Sequence, residues 1–303
     1  MKLLSPHPMP DYELIDCGNY EKLERFGKYV IRRPEPQAVW QKALPEKEWE
    51  RQTDALFKRE KGKMHPEGNE KGAWILKPEM PQQWFVSYLC KTKPLKFRLG
   101  LTAFKHVGIF PEQAENWNFI YDAVTASINA ADGFRKDCKV LNLFAYTGGA
   151  SLAARAAGAD VTHVDSVRQV LSWSRENMEA SGLDNIRWVC EDALKFVKRE
   201  AKRGKKYQGI ILDPPAYGRG PEGEKWILEE RIAELMDACS RISDEHNAFC
   251  VLNLYSMGFS SLIAENLLKE YFPASARIEF GELFLQDRAG RKLPLSVFGR
   301  GLF

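Results

Sequence analysis

The 303-residue chain has no apolar run approaching the roughly 20 residues that cross a bilayer. Its opening, MKLLSPHPMPD, holds no apolar core long enough for a secretion signal, and Pro6, Pro8 and Pro10 break it further. A cytoplasmic protein with no membrane attachment is the expectation. Cysteine is thin: the six residues (17, 90, 138, 190, 239 and 250) are scattered and form no C-x-x-C pair. That spacing fits free thiols in a reducing compartment better than a disulfide framework. The five histidines (7, 65, 106, 163 and 246) are equally isolated, so no zinc or di-iron site is expected. Internal repeats and low-complexity segments are absent too.

Hydrophobic residues make up 44% of the chain, enough for a sizeable core, and the length suits one large domain or two ordinary ones. Net charge is only +3, yet it is unevenly placed: the first 110 residues carry 20 Lys and Arg against 14 Asp and Glu, where the whole chain carries 44 against 41. A basic front half permits a polyanion partner, and a solvated charged surface accounts for it equally well.

Residues 1–105 read as a small β-rich N-terminal domain, with strand-like runs at Tyr12–Cys17, Tyr29–Arg33, Ala73–Lys77, Trp84–Lys91 and Lys96–Phe104. A short helix is expected around Trp49–Phe57, and the glycine-punctuated stretch KREKGKMHPEGNEKG reads as an exposed loop. Trp40, Trp49, Trp74 and Trp84, interleaved with basic residues, could stack on RNA bases or fill a small β core. A helix follows at about Trp117–Ala131, with Gly133 suited to end it.

From 139 onward strands and helices alternate, which implies a parallel sheet. Strands are expected at Val140–Phe144, Asp160–Asp165, Ile186–Cys190, Tyr207–Leu212 and Ala248–Leu254, with helices between them. Ile278–Leu285 and Leu293–Phe298, joined by QDRAGRK, close the chain as a hairpin, so the last strand should run antiparallel. Residues 106–303 thus form an α/β domain with a seven-stranded Rossmann-like sheet.

The first strand runs into AYTGGAS, a turn of small residues before an alanine-rich helix. In such sheets this turn lies at the carboxyl edge, where ligands reach the backbone and the free N–H groups of the helix. No G-x-G-x-x-G opens that helix, which disfavours a nicotinamide oxidoreductase. Asp165 closes the second strand, 23 residues after Asn142, where a carboxylate can take both hydroxyls of a ribose. Asp192 follows the third strand in CEDA, and Asp213 closes the fourth in ILDPPAY, a turn stiffened by two prolines. Asp165 and Asp192 each also read as simple helix caps.

Together LNLFAYTGGASLAA, THVDS, CEDA and ILDPPAYGRG resemble the class I S-adenosylmethionine-dependent methyltransferases, and more narrowly the bacterial 23S ribosomal-RNA large-subunit methyltransferase family, cytosine-C5 type and relatives. The resemblance implies S-adenosylmethionine as cofactor. It sets the turn Ala145, Tyr146, Thr147, Gly148 and Gly149 under the methionine part, Asn142 where many such enzymes carry an acid, Asp165 at the ribose, Asp192 and Ala193 at the adenine, and Ser166 among the cofactor-binding residues. It sets Asp213 nearest the reactive methyl, and Phe110 and Gln113 in a strip that covers the cofactor, with Asn116 and Trp117 assisting. RNA, ribosomal RNA foremost, is the implied partner.

Cytosine-C5 transfer needs a thiolate that adds to the base first. Where that thiol belongs, this chain has Asn253 or Leu254 after the fifth strand and Ala216 after DPP, while Cys250 falls inside a strand. DPPAY instead resembles the (D/N)PP(Y/F) turn of amino-group methyltransferases. There Asp213 and the Pro214 carbonyl would accept hydrogen bonds from an amine, and Tyr217 would stack on its ring. GRGPEGE, residues 218–224, reads as a substrate-gating loop or a plain connection. A small molecule or a protein side chain as acceptor, and a non-catalytic protein that binds cofactor and RNA, stay open beside the RNA reading.

Overall fold

The computed structural model describes residues 1–60, 71–130, 138–245, 247–255, 258–274 and 276–303. Most of the loop expected at 58–72 and the helix stop at Gly133 lie outside them. A twisted sheet at the centre contains strands β1 (Lys139–Leu143), β2 (Asp160–Asp165), β3 (Ile186–Cys190), β4 (Gly209–Leu212), β5 (Phe249–Leu254), β6 (Arg277–Gln286) and β7 (Lys292–Leu302). Their order is 3-2-1-4-5-7-6. β7 runs antiparallel to both neighbours, as the closing hairpin requires, and β1 to β5 pair in parallel. An eighth strand, Lys2–Leu4, adds to the outer edge of β6 in parallel. Three residues are too few to show a pattern, which is why the sequence does not announce it.

Helices α1 (Ala114–Ala130), α2 (Gly149–Ala156), α3 (Arg168–Ala180), α4 (Ala193–Lys202), α5 (Leu228–Ile242) and α6 (Ser261–Tyr271) cover the two faces. The strand periodicity of two separates the core into halves. Val140, Val161, Ile211 and Val251 pack with Ile120 and Leu152 on one face. Leu141, Leu143, Ile210, Leu212 and Leu252 pack with Phe196, Leu235 and Leu268 on the other. Burying both faces makes these strands continuous apolar runs, and each such side chain contributes about 1.5–3 kcal/mol on burial.

Before this sheet comes a five-stranded one: Tyr12–Gly18, Glu21–Phe26, Tyr29–Pro34, Ala55–Arg59 and Gly72–Leu76, in that spatial order. The strand Glu21–Phe26 is not apparent in the sequence, because EKLERF carries four charges. Lys22 and Glu24 are nevertheless buried. Glu24 takes both guanidinium arms of Arg33 at 2.6 and 3.0 Å and the Tyr12 hydroxyl at 2.9 Å, while Lys22 pairs with Glu35 at 3.1 Å. The expected helix at 49–57 instead occupies Glu46–Gln52, because Ala55 and Phe57 alternate into the core as strand residues. All four tryptophans spend their indole N–H groups internally, on Cys17 O (Trp40), the Asp16 carboxylate (Trp49), Phe104 O (Trp74) and Phe26 O (Trp84). Trp49 and Trp84 are buried in the core, and Trp40 and Trp74 pack half-buried against it.

A hairpin, Gln83–Cys90 with Lys93–Gly100, carries the chain over to the central sheet. Its side chains alternate between exposed and buried, and the buried set (Val86, Tyr88, Leu95, Phe97) packs on α1. Asn177 of α3 accepts the Arg98 N–H at 2.7 Å and donates to Thr147 O at 2.9 Å, so one amide ties this hairpin to the turn after β1.

Candidate active site

The turn after β1 is built from unusual backbone. Phe144, Tyr146 and Gly148 all have positive φ (54°, 48° and 93°). Such angles cost a non-glycine residue energy unless surrounding contacts fix them. Here the Ala145 N–H bonds Val164 O at 3.1 Å, the Tyr146 N–H bonds Asp165 Oδ2 at 2.9 Å, and the Thr147 hydroxyl donates to Gly108 O at 2.7 Å. Gly149 is required sterically: a Cβ there would come within 2.5 Å of the Trp117 ring. Behind the turn runs a buried polar chain. Asn142 Nδ2 donates to Ser151 Oγ (2.9 Å), which meets His163 Nδ1 (3.0 Å); Ser174 Oγ then donates to Tyr146 O (2.6 Å) beside His163 Nε2 (3.5 Å). Burial pushes His163 down to about 3, so it is neutral and serves as a spacer.

α2 starts at this turn, and no side chain caps it, Gly148 having none to offer. Its first N–H groups are therefore left for an anionic ligand. Asp165 is raised by burial, against backbone N–H groups of Val167, Tyr146 and Ser166 that pull the other way. Each oxygen keeps a lone pair for a further donor. Asp192 caps α4, accepting the Lys195 N–H at 2.8 Å. Ser166, Asp192 and Ala193 lie at the carboxyl ends of β2 and β3, on the same sheet edge as the turn.

One pocket gathers Phe110, Gln113, Asn142, Ala145, Tyr146, Thr147, Gly148 and Asp213 from the expected site, together with Asn116 and Trp117. Asp165 stands one hydrogen bond behind it, through Tyr146. Ser166, Asp192, Ala193, Pro214 and Tyr217 do not line it. Phe110 roofs the pocket against Tyr146 and Tyr255, both 5.4 Å away between ring centres. Gln113 is oriented by a relay the sequence does not reveal: Arg300 Nε donates to Asn116 Oδ1 (2.9 Å), and Asn116 Nδ2 to Gln113 Oε1 (2.8 Å). The one signal of it is an arginine inside the largely apolar β7, KLPLSVFGRGL.

At the far wall Asp213 Oδ1 accepts from Asn253 Nδ2 at 2.7 Å. Burial lifts the Asp213 carboxyl to about 6, with the Asn253 bond pulling the other way. Two residues beyond, the Tyr255 hydroxyl donates to Glu112 Oε1 at 3.1 Å, and burial drives Glu112 up to about 7. No cysteine lines the pocket. Cys250 faces the core fully buried, its thiol raised by that burial. Residues 218–224 belong to a short hairpin, Tyr217–Arg219 with Lys225–Ile227, pinned by Trp226, whose indole packs on Phe144 and donates to Pro215 O at 2.7 Å. Among the described residues no three His, Cys, Asp or Glu gather as a metal site, and no helix is long and apolar enough to cross a membrane.

This donor set fits the expected cofactor. The uncapped α2 N-terminus suits an amino-acid carboxylate, Asp165 a ribose diol, and the Phe110–Tyr146 roof an apolar chain.

Comparison with known proteins agrees. Residues 85–235 match the family model described as S-adenosylmethionine-dependent methyltransferase. Among curated proteins, the chain is 30% identical over 145 residues to ribosomal RNA large subunit methyltransferase K/L of Shewanella frigidimarina, covering 46% of this chain and 18% of that protein. It is 31% identical over 179 residues to ribosomal RNA large subunit methyltransferase I of Klebsiella pneumoniae, covering 55% and 42%. The chain thus spans less than half the length of these relatives. Among solved structures, the S-adenosylmethionine-dependent methyltransferase of Agrobacterium tumefaciens superposes with a TM-score of 0.88 at 38% identity, over 100% of this chain and 93% of that one. SMU.776, a putative methyltransferase complexed with SAH, shares the fold at 17% identity (TM-score 0.70, 97% and 76% covered).

Proposed function

Since the chain belongs to the S-adenosylmethionine-dependent methyltransferases, we propose that it methylates RNA, ribosomal RNA foremost, at an exocyclic amino group of a base, and does so in the cytoplasm. The observation that carries the amine is the Asp213–Asn253 pair in a pocket wall without a thiol. RNA is supported by the curated relatives, both named for ribosomal RNA.

Asn142 and the turn 145–148 hold the methionine end of the cofactor, under Phe110 and Gln113. Asp165 and Ser166 take the ribose; Asp192 and Ala193 take the adenine. When bound, S-adenosylmethionine supplies a sulfonium methyl that an amine lone pair can take, the C–S bond pair returning to sulfur. Asp213 and the Pro214 carbonyl hold the amine hydrogens, which fixes the lone pair toward the methyl, and orientation of this kind supplies most of the rate. Tyr217 stacks on the base. The proton shed by the nitrogen passes to Asp213, whose raised carboxyl is a better base than an ordinary one. A paired base would first have to leave its stack. Residues 1–105 act as the unit that presents the acceptor to residues 106–303.

The test is methyl transfer from labelled S-adenosylmethionine to total RNA, protein and small-molecule extract, each from cells lacking this protein. Label in RNA is expected. Label confined to protein or small molecules would overturn the RNA reading. Label nowhere, with cofactor bound, would leave a non-catalytic binding protein.

A further inference from the structure

Asn253 stands at the end of β5 and lines the pocket beside Asp213. It is 2% exposed. Its amide has one arm employed: Nδ2 donates to Asp213 Oδ1. The other arm, Oδ1, is buried without a hydrogen-bond partner among the described residues. The opposite amide orientation would set this oxygen against the carboxylate and repel it. A buried carbonyl oxygen left unpaired costs about 1–3 kcal/mol, so proteins rarely keep one without use. In a pocket wall, that use is a donor brought by a ligand.

With Asp213 Oδ2 and the Pro214 carbonyl engaged by the two hydrogens of an amine, Asn253 Oδ1 is a third acceptor with no hydrogen left for it on that amine. An acceptor meets it where it carries another N–H next to its amino group. Among the four RNA bases guanine alone does, with N1–H beside its 2-amino group; adenine and cytosine place a ring nitrogen acceptor there. Resting on the RNA-amine reading above, we infer that Asn253 is a specificity-determining residue whose Oδ1 accepts guanine N1–H, so that the methylated atom is guanine N2. Adenine or cytosine would bring a lone pair against Oδ1, and a polar site mismatched in this way discriminates strongly.

The experiment is to digest the labelled RNA to nucleosides and identify the methylated one, with Asn253→Ala and Asn253→Asp measured beside the native chain. N2-methylguanosine is expected. Asn253→Ala should lower transfer by about 100-fold through loss of alignment. Its affinity for S-adenosylhomocysteine, measured by calorimetry, should stay within about threefold, which also reports that the variant is folded. Asn253→Asp keeps an acceptor but loses the donor to Asp213, so the pH at which transfer is half-maximal should rise. Label in N6-methyladenosine or N4-methylcytidine would overturn this inference and leave the amine reading standing. Label on a ring carbon would overturn both. Parallel loss of S-adenosylhomocysteine affinity in Asn253→Ala would reassign Oδ1 to the cofactor and overturn the guanine assignment.

Discussion

Glu24 in the N-terminal sheet and Asp213 at the end of β4 are both carboxylates withdrawn from bulk water, and their surroundings treat them oppositely. Burial pushes Glu24 up, but Arg33 and Lys22 outweigh it, and the carboxyl settles at about 2. Its oxygens are taken by the Arg33 fork and the Tyr12 hydroxyl. Asp213 receives one neutral amide, burial prevails, and the carboxyl sits at about 6. The first arrangement is complete and has nothing left to offer a ligand. The second is incomplete among the described residues: a poised carboxyl and an amide oxygen without a hydrogen-bond partner there share one pocket wall. Satisfied buried polarity specifies the fold, and unsatisfied buried polarity marks where a ligand completes the set.

The contrast can be broken by removing one partner on the complete side. Arg33→Met strands Glu24 in the core and should cost about 3–5 kcal/mol of stability, read by urea denaturation; adding Glu24→Leu should recover much of it. A loss under 1 kcal/mol for the single variant would mean the pair matters little. On the ligand side, Asp165→Ala should weaken S-adenosylhomocysteine binding about 10- to 100-fold on the proposed ribose contact, because one charge-assisted hydrogen bond is worth about 1.5–3 kcal/mol. Unchanged affinity by calorimetry would remove Asp165 from the ribose.

Acid separates the two carboxylates further. The Glu24 value is depressed in the folded state, so its stabilisation is present above the ordinary glutamate value of 4.5 and lost as pH falls from there toward about 2. The Asp213 value is raised, so ionising it costs the fold stability as pH rises through about 6, while the proposed transfer needs the ionised form. Transfer should therefore fall about tenfold per pH unit below 6, at pH values where Glu24 still holds the fold. A flat profile between pH 5 and 7 would contradict the role given to Asp213.

The sheet was legible because β1, β2, β4 and β5 are buried on both faces, and apolar runs alternating with helices have few other readings. The positions of Asn142, Asp165 and Asp213 at strand ends followed from the same pattern. What stayed hidden depends on contacts distant in sequence. Strand Glu21–Phe26 looks polar until Arg33 and Glu35 arrive opposite it. The hairpin at 217–227 depends on Trp226 finding Phe144. The relay from Arg300 through Asn116 to Gln113 spans almost two hundred positions, and no local spacing encodes it. Asn253 stood out in the sequence only as a missing cysteine; its pairing with Asp213 needed β4 and β5 to be seen side by side.

The most direct measurement sets transfer against cofactor binding in Asp213→Asn, which keeps the shape and removes the charge. Transfer to RNA should fall about a thousandfold while S-adenosylhomocysteine affinity stays within about threefold. Near-native transfer at unchanged affinity would contradict the assignment of Asp213 as the group that holds the amine and takes its proton.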